Sequence, residues 1–258
     1  MPMNIVTWNV NSLKARAEFV ARYLDSEQPD VLAIQELKLT ADNVPTEIFA
    51  QRGYHLAIHG QKQWNGVLLA SRTPIEAIHT GLPDGDEGQA RLVAGTTGGI
   101  RFVNLYCPQG QSEESPKFAY KLSFFRALNA WLRAEHQASD ALVVLGDINI
   151  APTRDDLWDP DAFTNVPSFH PAEHEQYADL LAFGLEDVVL PHVEPGTYSF
   201  WDYRSARFRY NHGMRIDHIL ATTSVAARVT GGGVHRQWRK KVDGMTASDH
   251  APVFATLR

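Results

Sequence analysis

The feature that most constrains the fold of this chain is a short apolar run that recurs along its length. Seven such runs stand between polar or turn-forming residues: Ile5 to Trp8, Val31 to Ile34, Val67 to Ala70, Phe102 to Tyr106, Leu142 to Leu145, Ile216 to Leu220 and Val253 to Leu257. Apolar runs of about 4 to 8 residues between turn signals are typical of buried β-strands. The sequence therefore predicts many short strands.

Helical spacing of apolar residues appears between some of these runs. Three segments show it, the first with Ser12 as its N-cap: Ser12 to Asp25, Pro116 to His136 and Ala172 to Phe183. Many strands with few helices predict an α/β sandwich, in which two sheets pack face to face and helices cover them. No internal repeat or flexible linker occurs, so we expect one domain over residues 1–258. The polar segment Ala151 to Pro171 is predicted to be a functional loop.

Composition narrows the class of protein. Hydrophobic residues make up 44% of the chain and charged residues 21%, as in ordinary globular proteins. We identify no signal peptide, and no apolar run approaches the ~18 residues of a membrane span. The single cysteine, Cys107, agrees with a reducing compartment. We therefore expect a cytoplasmic protein with no membrane partner.

The net charge of -6 argues mildly against a nucleic-acid partner, because phosphate binding usually leaves a basic footprint. Acidic metal ligands would lower the total without removing a local basic face, so the net charge does not decide the question. The densest basic segment is Arg228 to Lys241. It is either a solvated loop or a contact to a phosphate backbone.

Acidic and amide residues lie at or beside the apolar runs. Those that directly follow a run are Asn9, Asn11, Gln35, Glu36, Asp147 and Asn149, whereas Asp217 lies within a run and Asp249 precedes the last run together with His250. Taken singly, an Asp after a strand is more often a turn or helix cap. Buried carboxylates that converge cost several kcal/mol unless a metal, a positive partner or a proton compensates them. Oxygen ligands without cysteine point to a hard cation such as Mg²⁺ or Mn²⁺.

A carboxylate and an imidazole are neighbours in Ser248-Asp249-His250. A second carboxylate, Asp217, could reach the other ring nitrogen and raise its basicity, so that the ring would hydrogen-bond a phosphate oxygen. A serine hydrolase is disfavoured because the chain has no G-x-S-x-G motif.

Seven segments together resemble the exonuclease III family of the exonuclease-endonuclease-phosphatase superfamily. They are Thr7 to Leu13, Gln35 to Lys38, Tyr106 to Gly110, Gly146 to Pro152, Phe200 to Arg204, Arg215 to Asp217 and Ser248 to Val253. The resemblance covers essentially the whole chain. It implies a four-layer α/β sandwich of the DNase I-like type, with two packed mixed β-sheets flanked by helices. Leu37 and Ser12 depart from the residues that many members carry.

The resemblance also implies roles for individual residues. Glu36 would be the principal metal ligand, with Asn9, Asp249 and Asp147 completing the metal site. Asp147 and Asn149 would align and deprotonate the attacking water. Tyr106 would contact the scissile phosphate, and Asp217 with His250 would hold its oxygen. The implied cofactor is Mg²⁺, which Mn²⁺ could replace.

The implied substrate is double-stranded DNA with abasic sites or 3′ ends, bound by a monomer. Phe200, Trp201 and Met214 would line a pocket for an extruded abasic sugar, unless they are plain core residues. Gln109 belongs to a motif of the DNA repair branch. Arg91 and Lys121 would contact the DNA backbone, or are ordinary surface cations. A small residue such as Ser168 would leave room for the sugar.

Two other functions compete with a DNA repair nuclease. One is a phosphatase or phosphodiesterase of lipid or inositol phosphates with the same metal site, but no cationic head-group pocket or apolar membrane-facing loop is evident. The other is a catalytically silent DNA-binding protein. Every position expected to be catalytic is filled, which disfavours silence.

Overall fold

The computed structural model describes residues 2–83, 85 and 88–258. Over these residues the chain forms strands β1 (Met3–Asn9), β2 (Val31–Gln35), β3 (His55–His59), β4 (Val67–Ser71), β5 (Glu76–Thr80), β6 (Leu92–Thr97), β7 (Ile100–Tyr106), β8 (Leu142–Asp147), β9 (Leu185–Asp187), β10 (Asp217–Thr222), β11 (Val229–Val234) and β12 (Val253–Leu257). The α-helices are α1 (Leu13–Glu27), α2 (Glu47–Ala50), α3 (Pro116–Glu135), α4 (Pro171–Ala182) and α5 (Thr223–Ala226).

The strands form two six-stranded mixed sheets. The first has the order β11-β12-β1-β2-β4-β3, and the second has the order β5-β6-β7-β8-β10-β9. Each sheet contains one parallel pair, β1 with β2 and β7 with β8. The other strand pairs are antiparallel. Polar residues follow directly where the two parallel strand pairs end. The candidate active site lies at these strand ends.

Three apolar clusters order the layers. Between the sheets, side chains such as Ile5 of the first sheet and Val143 of the second form one buried cluster. Helix α1 packs on the outside of the first sheet through Phe19. Helices α3 and α4 cover the second sheet through residues such as Phe125 and Leu180. Burial of apolar surface on both faces of each sheet drives this arrangement, and the predicted four-layer sandwich is confirmed.

The three predicted helices are present with small shifts at their ends. Helix α1 begins after Ser12, whose hydroxyl accepts a hydrogen bond from the amide of Ala15 at 3.4 Å, as an N-cap does. Helix α4 is capped by His170, whose Nδ1 accepts from the amide of Ala172. None of the described helices is long and apolar enough to cross a membrane.

The strands that the sequence did not predict are mainly those with little apolar patterning. Strand β5 is almost entirely exposed, and β11 contains three consecutive glycines. The basic segment 228–241 is therefore not one loop. It holds β11 and a 3₁₀ turn, in which Trp238 and Arg239 are buried. The segment 151–171 is largely irregular, as predicted, with a 3₁₀ turn at Arg154–Asp156.

Candidate active site

The site lies where strands β1, β2, β7 and β8 end and strand β10 begins. In the first sheet, Asn9 ends β1 and pairs with Gln35, directly before Glu36. In the second sheet, Asp147 ends β8 and pairs with Tyr106 on one side and Asp217 on the other. Because the carboxyl ends of parallel strands lie at one edge, side chains distant in sequence are brought together.

The backbone turns sharply at these strand ends. Glu36, Asn149 and Ser168 have positive φ angles of 57°, 57° and 82°, which non-glycine residues rarely adopt. Gly146, with φ 146°, is required for a steric reason, since a Cβ there would lie 2.0 Å from the carbonyl oxygen of Leu105. The strained turns aim side chains into the site, and the glycine lets β8 approach β7.

Asn9 connects the metal-ligand candidates of the two sheets. Its amide nitrogen donates to Glu36 Oε1 at 2.9 Å and to Asp147 Oδ2 at 2.8 Å. Its Oδ1 accepts from the backbone amide of Asn11 at 2.9 Å. In this arrangement Asn9 positions two carboxylates, and its oxygen is used by the backbone rather than turned toward them.

Glu36 is surrounded by donors. The Tyr106 hydroxyl donates to Glu36 Oε1 at 2.9 Å, and Lys38 Nζ lies 2.9 Å from Oε2. Burial alone would raise the pKa of Glu36, but Lys38 and the hydrogen bond from Asn9 outweigh it, so the pKa is lowered. Burial raises the pKa of the Tyr106 phenol, and the charges of Glu36 and Asp147 raise it further. Tyr106 is therefore a neutral donor at neutral pH.

His250 stands between two aspartates. Its Nδ1 lies 2.8 Å from Asp217 Oδ2, and its Nε2 lies 3.8 Å from Asp147 Oδ2. Burial would lower the pKa of His250, but the negative charges of Asp217 and Asp147 outweigh it and raise the pKa to about 10. The ring is an imidazolium at neutral pH, with one N–H held by Asp217.

Asp147 is buried, with 2% of its surface exposed. Burial raises its pKa to about 7; His250 opposes the shift, while Asp217 and Glu36 add to it. Asp147 Oδ1 also accepts from the backbone amide of Asn149 at 3.1 Å. A carboxyl group that titrates near neutral pH suits proton transfer.

Candidate metal-ligating atoms occur in two overlapping groups. Candidate ligand atoms of Asp147, Asp217 and His250 lie within 4.8 Å of one another, but the protonated His250 ring leaves only the two carboxylates of this group for a cation. Of the predicted metal set, Glu36, Asp147 and Asp249 line one cavity with their carboxylates, whereas the side-chain oxygen of Asn9 accepts from the Asn11 amide. An oxygen-only set of carboxylates fits a hard divalent cation.

This cavity, of about 460 Å³, opens beside the catalytic groups. Phe200 and Met214 line it, as predicted, together with Ser168 and Gln109. The prediction for Trp201 is wrong, because its side chain is fully buried in a separate cluster. Neighbouring side chains of an extended segment point to opposite sides, so the segment that turns Phe200 toward the cavity turns the next residue away.

The structure contradicts the predicted DNA contact of Lys121, whereas the predicted contact of Arg91 stays a prediction. Lys121 is fully buried, so a contact from its side chain to DNA is excluded in this structure. Its Nζ donates to the carbonyl of Asn149 at 2.7 Å and of Gln109 at 3.3 Å, and pairs with Glu173 at 2.6 Å. Arg91 is half-buried, with its guanidinium 5.0 Å from the Tyr106 ring centre, and it lines an adjoining groove.

Sequence reasoning missed several residues of the cavity wall. Trp158, Arg207 and His212 line the same cavity as Asp147 and His250. The one signal in the sequence was an isolated tryptophan inside the long polar loop, where an apolar side chain has no strand or helix to pack into.

Comparison with known proteins agrees with this geometry. Residues 6–250 match the model of the endonuclease/exonuclease/phosphatase family. The chain is 34% identical to exodeoxyribonuclease III of Haemophilus influenzae, over 99% of this chain and all of the relative.

Solved structures give the same result. The 3′ phosphatase NExo from Neisseria, bound to a product DNA hairpin, is 39% identical with a TM-score of 0.94, and 99% of each chain is covered. An AP endonuclease from Archaeoglobus fulgidus is 33% identical with a TM-score of 0.93, again over 99% of each chain. With a family match over nearly its whole length, the chain belongs to the endonuclease/exonuclease/phosphatase family.

Proposed function

We propose that this chain is a magnesium-dependent DNA repair nuclease, which incises DNA 5′ to abasic sites and removes nucleotides or blocking groups from 3′ ends. The observation that carries this proposal is the buried group of Asp147, Asp217 and His250, linked through Asn9 to Glu36 at the floor of a cavity. The full-length similarity to exodeoxyribonuclease III supports the substrate class.

Asp147 is the proposed base. Its pKa of about 7 allows it to accept a proton from water near neutral pH, and Asn9 and Asn149 fix its two oxygens. A base alone contributes about 10²- to 10⁴-fold, which is far less than phosphodiester hydrolysis requires. The remaining acceleration has to come from charge stabilisation and alignment.

His250 and Tyr106 are the proposed sources of that stabilisation from the chain itself. The His250 imidazolium, with Asp217 fixing one N–H, directs the other ring nitrogen toward the site and would donate to a phosphate oxygen. The neutral phenol of Tyr106 would donate to the phosphate or to the leaving 3′ oxygen. Asn149, whose side chain donates to the carbonyl of Cys107 at 2.9 Å, helps to hold the water-binding turn.

Glu36, Asp249 and Asp147 are the residues proposed to hold Mg²⁺, with Mn²⁺ as a substitute. A divalent cation bound there would offset the charge that develops on the phosphoryl oxygens. Asp249 already accepts hydrogen bonds from Asn11 at 3.1 Å and Ser248 at 3.3 Å, which orient its carboxylate.

The proposed partner is double-stranded DNA, acted on by a monomer in the cytoplasm. Phe200 and Met214 give the cavity an apolar wall for an extruded sugar, and Ser168 adds little bulk to it. A nucleotide without its base has lost its stacking, so extruding it from the helix costs less.

The test uses two duplexes, one with a single tetrahydrofuran abasic analogue and one undamaged with a recessed 3′ end, each with Mg²⁺ and with EDTA. We expect metal-dependent incision 5′ to the analogue and shortening of the recessed end. Digestion of the recessed end alone would remove the endonuclease part of the proposal. Cleavage of neither duplex would overturn it.

A further inference from the structure

One wall of the cavity consists of two stacked aromatic rings that the proposed chemistry does not use. The ring centres of Trp158 and His212 are 4.0 Å apart, and their planes are inclined by 15°. Both residues are half-buried and line the same cavity as Asp147 and His250. The part of this stacked pair that stays exposed lies beside the candidate catalytic groups, and exposed aromatic surface can stack a nucleobase.

The backbone holds this wall in place. The tryptophan's backbone amide donates to the carbonyl of Gly213 at 3.1 Å. Isolated β-bridges connect Leu157 with Met214, Met214 with Phe200, and Phe200 with His250. The wall and the catalytic imidazole thus belong to one hydrogen-bonded ladder, so a ligand on the wall has a fixed position relative to the reacting phosphate.

The charge and shape of the wall also fit a nucleotide. The guanidinium of Arg207 lies 5.3 Å from the centre of the Trp158 ring, so a cation accompanies the aromatic face. Phe163 lines the same cavity and extends the apolar surface. A volume of about 460 Å³ lies within the ~300–1,000 Å³ of pockets that take drug-sized ligands. A sugar phosphate without a base would leave the aromatic wall uncovered.

We propose that the Trp158–His212 wall binds the base of an unpaired 3′-terminal nucleotide, so that the cavity takes a whole nucleotide as well as an abasic sugar. This rests on the proposed function, because the same phosphate is attacked in both cases. The water oxygen bonds to phosphorus, the bond from phosphorus to the upstream 3′ oxygen breaks, and that oxygen takes a proton. The terminal nucleotide leaves as a nucleoside 5′-monophosphate.

The preference for unpaired termini follows from the position of the wall inside the cavity. A base reaches the wall only after it leaves the DNA helix. The free-energy cost of leaving is smaller for a mismatched or frayed base. Stacking on an aromatic side chain is worth about 5- to 150-fold in affinity per base.

The first experiment compares two recessed 3′ ends that differ only in the last residue, a mismatched nucleotide or a base-free tetrahydrofuran nucleotide. We expect Trp158→Ala to lower kcat/KM on the mismatched end by about 5- to 150-fold and to leave the base-free end unchanged. Trp158→Phe, which keeps an aromatic face, should recover most of the lost rate. An equal loss on both ends would show a merely structural role and overturn the proposal, as would no loss on either.

Trp64→Ala is the matched control, because this tryptophan is 68% exposed and lines the adjoining groove instead of the cavity. It should leave the ratio of the two rates unchanged; a change equal to that of Trp158→Ala would contradict an assignment to this wall.

A binding measurement separates failure of the wall from failure of the nuclease. A 3′-terminal 2-aminopurine opposite a mismatch, with the protein in EDTA, should lose fluorescence on binding, and Trp158→Ala should abolish that loss. If the wild-type protein cleaves nothing but quenches the probe, the nuclease proposal fails and the wall stands. Bound DNA without quenching overturns the wall whatever the activity.

Discussion

Helices α3 and α4 are joined by two ion pairs that carry the same formal charges in opposite surroundings. At one end, Lys121 and Glu173 lie 2.6 Å apart, and both side chains are 0% exposed. At the other end, Arg133 and Asp179 lie 2.8 Å apart with 42% and 51% exposure. Exposed pairs of this kind are worth about 0–1 kcal/mol, whereas breaking a buried pair strands a charge away from water.

The difference in burial between the two pairs indicates a positioning role for the Lys121–Glu173 pair. Burial lowers the pKa of Lys121, and Glu173 opposes that shift. The Lys121 ammonium donates its remaining hydrogen bonds to the carbonyls of Asn149 and Gln109, and it thereby holds two loops of the cavity in place. The exposed pair only links two helices. Of these two pairs, the buried one contacts loops of the cavity and the exposed one does not.

The largest effect that this comparison predicts concerns Asp147, the buried carboxylate proposed as the base. Asp147→Asn removes the proposed base while keeping the shape of the side chain, so turnover should fall at least ~10²- to 10⁴-fold. Binding of an abasic duplex, measured in EDTA, should be largely preserved. Turnover close to the wild-type value would mean that this buried charge, too, is only structural.

Next comes the buried pair itself. Lys121→Met leaves Glu173 as an unpaired buried charge, so the free energy of unfolding should fall by about 3–5 kcal/mol in a urea titration. The double variant Lys121→Met with Glu173→Leu removes both charges and should recover most of that stability. The kcat of the double variant should nevertheless stay below the wild-type value with KM little changed, because the Asn149 carbonyl has lost the Lys121 ammonium as its hydrogen-bond donor. Full recovery of kcat in the double variant would make the pair structural only.

A smaller effect is expected from pH. Burial raises the pKa of Asp147 to about 7, so the base form is lost as the pH falls, and kcat/KM should drop about tenfold per pH unit below the midpoint. A bound cation shifts that midpoint below 7, so the profile is measured from pH 8 down to pH 4. A profile with no fall in kcat/KM on the acid side of that range would contradict the assignment of the base.

His250 gives the opposite dependence for stability. Its pKa in the folded protein is raised to about 10, so its contribution to stability is complete below the ordinary histidine value and is lost as the pH rises through 10. Urea unfolding between pH 7 and 10.5 should show this decline, and His250→Gln should reduce it. An unchanged decline in the variant would assign it to other groups.

The smallest effect belongs to the exposed pair. Arg133→Met should change the free energy of unfolding by less than about 1 kcal/mol and leave kcat unchanged. It is also the matched control for Lys121→Met, since it breaks the other ion pair between the same helices. A loss comparable to that of the buried variant would remove the contrast between the two ends.

The positions of the metal and catalytic candidates could be predicted because they follow apolar strands directly. Glu36 and Asp147 each come at the end of a buried run, and such ends converge at one edge of a sheet. Strand β11 could not be predicted, since its three glycines carry no apolar pattern. Edge and exposed strands are specified by their neighbours more than by their own side chains.

The roles of individual cations and aromatic residues were harder to predict, because they depend on partners far away in sequence. The burial of Lys121 requires Glu173 on another helix. No local sequence pattern near Lys121 predicts that partner. Whether Phe200 or Trp201 faces the cavity depends on the phase of an irregular segment that is set by pairing with Met214. Trp158 becomes part of a wall only when His212 is folded against it.

The ladder through Leu157, Met214, Phe200 and His250 has a consequence for how the cavity opens. Irregular loops usually exchange their amide hydrogens with solvent quickly, because few of them are bonded. Here the amides of Trp158, Met214 and Phe200 are all donors to backbone carbonyls. We therefore expect these amides to be protected from exchange together, so that the rim of the cavity would open as one cooperative unit and not residue by residue.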